Sequence, residues 1–117
     1  MVIGIIGSRS RNSDEDYQKV LGAFSRVYSL NDTIVSGGCP TGGDRFAERI
    51  AQEDDIPIKI HWAKWGLYGR SAGFQRNGLI AKDADILIAC VAEDRKGGTE
   101  DTIKKYLVLG KNKLILV

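Results

Sequence analysis

Five short apolar runs, at residues 2–6, 33–35, 56–60, 85–89 and 114–117, are separated by segments of helical character. A β-α-β-α-β-α-β-α-β order leaves few folds open, because strands joined through a helix pair in parallel by right-handed crossovers. The fourth run, Asp85-Ile86-Leu87-Ile88-Ala89, is almost continuously apolar rather than alternating, as a strand covered on both faces requires. The sequence therefore predicts an α/β fold: a Rossmann-like three-layer sandwich around a five-stranded parallel sheet. The expected strand order is 3-2-1-4-5, with its switch point between the first and fourth strands.

The intervening segments carry their own signals. Ser13 precedes Asp14, Glu15 and Asp16, a capped and acid-rich helix start. Tyr17, Val20, Leu21, Phe24, Val27 and Tyr28 then form one apolar face. A second helix opens near Gly43-Asp44 with Phe46, Ala47, Ile50 and Ala51 inward. The third spans 73–82 with Leu79 and Ile80 inward, although Gly78 weakens it. Thr99 is expected to cap the last helix, which carries Ile103, Tyr106 and Leu107 and ends at Gly110. Residues 62–72, WAKWGLYGRSA, read as irregular but too aromatic for a passive linker.

At 117 residues the chain is long enough for one hydrophobic core and too short for two, so 1–117 is read as a single domain. Its net charge of +2 lacks the strongly basic balance of a sequence-independent nucleic-acid binder, and nucleic acid is not the expected partner. No apolar run approaches the roughly 20 residues of a membrane span. Met1 leads straight into the first apolar run without a basic leader, so a cytoplasmic location is expected. Cys39, Cys90 and the single histidine His61 have no metal-binding spacing. Reduced thiols, no metal and no cofactor are the corresponding expectations.

Four glycine-bearing segments follow the apolar runs: GSR at 7–9, SGG at 36–38, TGGD at 41–44 and GGT at 97–99. A glycine turn between a buried strand and a helix exposes backbone N–H groups and the positive helix end, which suits phosphate. In an open parallel sheet the ligand crevice lies beyond the carboxyl ends of the strands at the switch point, where these turns converge. The pattern is neither GxGxxG nor a GK[ST] P-loop. The phosphate cradle must be of another kind.

The runs GSR, IVSGGCPTGGDRFAERIA, WGLYGRSAGFQRN, ADILIAC and GGTEDTI, in this order over nearly the whole chain, resemble the SLOG superfamily and most closely its YspA-like branch. The resemblance implies a Rossmann-like fold with a pocket for a nucleotide or nucleotide derivative. Relatives in that superfamily include the Lonely guy phosphoribohydrolases, DNA-processing protein A and sensor domains that look like readers of NAD-derived signals. Gly7, Ser8 and Arg9 match the first loop of the family, and Ser36, Gly37, Gly38, Gly43 and Asp44 match the second. Arg76 and Asn77 match its RN pair, and Gly97, Gly98 and Thr99 its GGT.

Residue chemistry suits these assignments. Gly98 and Thr99 can present donors to a phosphate, and Arg9 and Arg76 can each form bidentate, charge-assisted pairs with phosphate oxygens. Asp44 suits either a helix cap or an acceptor for ribose hydroxyls. Arg76 and Arg45, both on predicted helices, also suit a solvated position or pairing with Glu48 or Asp83, the reading favoured for Arg45. Trp62, Trp65 and Tyr68 suit either packing on the core or stacking on a base.

The functional expectation is a domain that binds a nucleotide-derived ligand of the ADP-ribose or NAD type, for sensing or sequestration. The alternative is a Lonely guy-like phosphoribohydrolase, with Glu100 and Asp101 as its candidate carboxylates. Those enzymes resemble the chain near their PGGxGTxxE motif, but Thr102 stands where the motif has glutamate. A third reading, single-stranded nucleic acid binding, uses Arg9, Arg11, Arg70 and Arg76 with the aromatic loop. Helix faces left uncovered in so short a chain are compatible with a homodimer or higher homo-oligomer.

Overall fold

The computed structural model describes residues 1–117. Its fold is α/β and Rossmann-like, with all five strands parallel in the order β3-β2-β1-β4-β5. The strands are β1 (Val2–Gly7), β2 (Thr33–Gly37), β3 (Ile58–His61), β4 (Ile86–Cys90) and β5 (Leu114–Leu116). The helices are α1 (Asp14–Val27), α2 (Gly43–Glu53), the single turn α3 (Trp65–Tyr68), α4 (Ala72–Asp83) and α5 (Gly98–Val108). No helix is long and apolar enough to cross a membrane.

Period-two alternation divides the sheet between two cores. Ile3, Ile5, Ile34, Ile88 and Cys90 face α1 and α2, meeting Tyr17, Val20, Phe24, Phe46 and Ile50. Ile6, Val35, Leu87 and Ala89 face α4 and α5, meeting Ile80, Ile103 and Tyr106. Every residue of β4 is buried, which is why its sequence does not alternate. Ser13 and Asp16 close a capping box on α1. At the far end of α4, the Lys111 ammonium donates to Ala81 O, Lys82 O and Ala84 O, satisfying carbonyls the helix leaves open.

Several local expectations are corrected. β3 begins at Ile58; Ile56 is buried ahead of it. Residues 62–72 are not simply irregular, since α3 and a 3₁₀ turn (Gly69–Ser71) order most of them. Leu79 and Leu107 face solvent, while their neighbours Ile80 and Tyr106 are buried. Each helix step turns about 100°, and at these two positions it carries the leucine beyond the edge of the buried stripe. The cap of α5 is Gly97, not Thr99, which lies inside the first turn. Gly97 has φ 104°, a backbone state that threonine resists.

Candidate functional site

β1 and β4 lie side by side with Gly7 opposite Cys90. The helices following them, α1 and α5, pack on opposite sides of the sheet, so a crevice opens between their starts. It holds a cavity of about 310 Å³ lined by 14 residues, only 3 of them hydrophobic, which suits a charged ligand better than an apolar one.

The wall over β1 is the GSR loop. Ser8 N–H donates to Cys90 O at 2.8 Å and Arg11 N–H to Ser8 O at 3.1 Å, giving a tight turn with exposed Arg9 at its tip. Arg11 itself is spent on Asp16, Val91 O and Val117 O, so it is not available to a ligand.

The opposite wall is the start of α5. No side chain caps it, and Gly97, Gly98 and Thr99 line the cavity with Lys96 beside them. α2 starts just as close but is sealed: a Cβ on Gly43 would collide with Gly7 N and the Ile6 carbonyl group. Gly42 N–H there is taken by Asn12 Oδ1 at 2.8 Å. Arg45 pairs with neither Glu48 nor Asp83; it donates to Asn12 Oδ1 and Asn12 O at 2.9 and 3.1 Å. Only α5 therefore offers free helix-end donors.

The floor is held by Asp44, Arg76 and Asn77. Asn77 is buried; its Oδ1 accepts from Arg76 Nε at 3.0 Å, and its Nδ2 donates to Gly98 O at 3.3 Å and Asp101 Oδ2 at 3.1 Å. One amide thus aims Arg76 and ties α4 to the start of α5. The terminal nitrogens of Arg76 remain free for an anion.

Asp44 is the only carboxylate lining the cavity. Its Oδ2 accepts from Cys39 N–H at 3.1 Å, and its Oδ1 lies 3.0 Å from Ser36 Oγ. Burial raises its pKa above the usual carboxylate value, outweighing the hydrogen bonds from Cys39 and Ser36 and the charge of Arg76. The Ser36 hydroxyl has one proton and two acceptors in reach, Ile5 O and Asp44 Oδ1. A protonated Asp44, donating to Ser36 Oγ, makes both contacts hydrogen bonds.

Of the residues singled out from sequence, Gly7, Ser8, Arg9, Asp44, Arg76, Asn77, Gly97, Gly98 and Thr99 line this one cavity. Ser36, Gly37, Gly38 and Gly43 stand behind it. Ser36 is buried against Ile5 and Asp44, and Gly37 and Gly38 lie beneath Arg76 and Trp62. Ile6, Cys39, Ile80, Lys96 and Thr102 also line it, although the sequence did not mark them as ligand-binding residues. Only Lys96 and Thr102 carried a signal, their proximity to the GGT segment.

Glu100 and Asp101 do not line the cavity. Glu100 receives a bidentate pair from Arg95 at 2.8 and 2.9 Å, and Asp101 is held by Lys105 at 2.8 Å and by Asn77. Thr102, at the place of the motif glutamate, is buried and donates to Gly98 O at 3.2 Å. The aromatic loop does not pack into the core: Trp62, Trp65 and Tyr68 are 61%, 60% and 45% exposed.

Comparison with known proteins returns no match to any family model, curated protein or solved structure.

Proposed function

We propose that the protein binds a phosphate-bearing nucleotide derivative, of the ADP-ribose or NAD-derived type, as a sensing or sequestering domain. One observation carries this reading: Arg9, Arg76, Lys96 and the uncapped start of α5 converge on a single polar cavity at the switch point of the sheet. Three cations and a row of backbone donors share the cavity with one carboxylate, Asp44, whose pKa burial raises above the usual carboxylate value. An anion entering there gains charge-assisted hydrogen bonds from a lining in which cations outnumber the carboxylate. Asp44 and the backbone beside it supply acceptors for ribose hydroxyls. The SLOG-like order of motifs supports the same ligand class, with Arg76 and Thr99 as phosphate contacts.

Binding is favoured over N-glycosidic hydrolysis because Glu100 and Asp101 are held in ion pairs away from the cavity. Cleavage of that bond needs a carboxylate beside the oxocarbenium-like centre, and the one in the cavity, Asp44, has both oxygens engaged by Ser36 Oγ and Cys39 N–H. The test is native mass spectrometry with AMP, NAD, ADP-ribose and cyclic ADP-ribose isomers, reading bound mass and released base together. Stoichiometric retention of an intact ligand supports the proposal. Accumulating free base and ribose phosphate would replace it with a phosphoribohydrolase, and absence of binding to every compound would remove it.

A further inference from the structure

The proposed reading leaves the base end of the ligand unassigned, and the other end of the crevice offers a surface for it. Trp62 directly follows β3, whose last residue, His61, pairs in register with Gly37. Its ring lies on Gly38 so closely that a Cβ on that glycine would overlap the indole carbons. The opposite side is open, since the residue is 61% exposed. An exposed ring alone is unremarkable, and what distinguishes this one is its seat on a glycine beside the cavity. His61 Nε2 lies 2.6 Å from Asp83 Oδ2, which pins the strand end from which Trp62 departs.

Trp62 does not itself line the cavity; Cys39, the residue after Gly38, does, which places the indole next to the lining on the β3 side. Gly37, next to Gly38, is flanked by Arg76 and Asp44. Moving along the strand ends, one meets the start of α5 beside β4, then Arg76 and Asp44 over Gly37, then Trp62 beside β3. Three strand spacings of about 4.8 Å, roughly 14 Å in all, separate the two ends. An anion site, a polar floor and a flat aromatic face follow one another as phosphate, sugar and base do in a nucleotide.

We propose that the Trp62 indole, seated on Gly38 beside the cavity, is the stacking platform for the heteroaromatic base of the ligand. This rests on the nucleotide-binding reading and assigns the orientation: phosphate at α5, base at β3. Stacking on an indole face is tolerant of base identity, so the platform recognises a planar base as such.

Two probes separate this proposal from the reading beneath it. AMP carries a base, whereas ribose 5-phosphate shares its sugar and phosphate and lacks the base. By calorimetric titration, Trp62→Ala is expected to weaken AMP by about tenfold or more while leaving ribose 5-phosphate within twofold, and Trp62→Phe to restore most of the loss. In a Trp65→Phe background, AMP but not ribose 5-phosphate is expected to quench the remaining indole fluorescence. Wild-type binding of ribose 5-phosphate, together with AMP affinity unchanged in Trp62→Ala, would overturn the platform and keep the phosphate site. Equal losses for both probes would likewise overturn it, by making Trp62 a support of the loop. A wild-type protein that binds neither probe would overturn both.

Discussion

Arg76 and Asp44 meet over Gly37: a Cβ on that glycine would lie 2.6 Å from an Arg76 terminal nitrogen and 2.7 Å from Asp44 Oδ2. The absence of a side chain there lets a cation and a carboxylate share the cavity floor. Arg76 lies on α4 and Asp44 on α2, helices on opposite sides of the sheet, so the floor depends on the fold as a whole.

Arg76→Ala is expected to lower affinity for ADP-ribose or AMP by about 10- to 100-fold, the range for losing a hydrogen-bonded partner of a charged group. The fold should persist, because the guanidinium makes one side-chain hydrogen bond and is only part-buried. Calorimetric titration beside a thermal melt checks both parts. An unchanged affinity would remove Arg76 from the site.

Asn77 acts through Arg76 and α5. Asn77→Ala removes the partner of Arg76 Nε and the tie to Gly98 O and Asp101, so it should cost about 1–3 kcal/mol of stability as well as affinity. The affinity losses of Asn77→Ala and Arg76→Ala should be less than additive in the double variant, because one residue positions the other. Strict additivity would mean that Asn77 does not aim Arg76.

Asp44 gives a pH test. A carboxyl whose folded-state pKa is raised binds its proton more tightly when folded than when unfolded. Its contribution to stability therefore falls as pH rises from the unfolded carboxylate value, about 3.9, toward the folded value. Asp44→Asn lacks this titration, and its amide can accept from Cys39 N–H and donate to Ser36 Oγ. The variant should match wild type near pH 3 and gain on it as pH rises to 7, read by urea unfolding at each pH. A loss growing with pH would mean that Asp44 is stabilised as the anion.

Glycines at two positions should respond oppositely. Gly43→Ala drives a Cβ into the Gly7 and Ile6 backbone, which cannot swing aside, so a cost of about 1–3 kcal/mol or more is expected. Gly22, within α1, has no neighbour in reach of a Cβ, and Gly22→Ala should stabilise by about 0.5–1 kcal/mol. Urea unfolding of the two variants checks the pair.

The sheet order was readable because every strand is a short apolar run closed by turn chemistry, and β-α-β connectivity does the rest. Side-chain direction was less readable. Leu79 and Leu107 are as apolar as the buried residues beside them, and the angle between neighbours decides which is covered. Thr99 looks like a cap by residue type, yet the chain needs a positive φ two residues earlier and Gly97 takes the position. Ser36 and Gly43 belong to a conspicuous motif but face the backbone behind the cavity. A motif marks where the main chain is special without saying which side it presents.

The last contrast concerns Glu100 and Asp101. A hydrolase using either carboxylate would lose turnover when it is neutralised. The structure instead places Glu100 against Arg95 and Asp101 against Lys105 and Asn77, none of the four oxygens lining the cavity. Glu100→Gln should therefore leave AMP and ADP-ribose affinity within about twofold, since an exposed ion pair contributes on the order of 0–1 kcal/mol to its surroundings. Asp101→Asn should weaken binding only so far as it loosens Asn77. Titration of both variants, with chromatography for free adenine, decides the matter: base released by wild type and abolished by Glu100→Gln would show that α5 rearranges to bring its first-turn carboxylate onto the ligand.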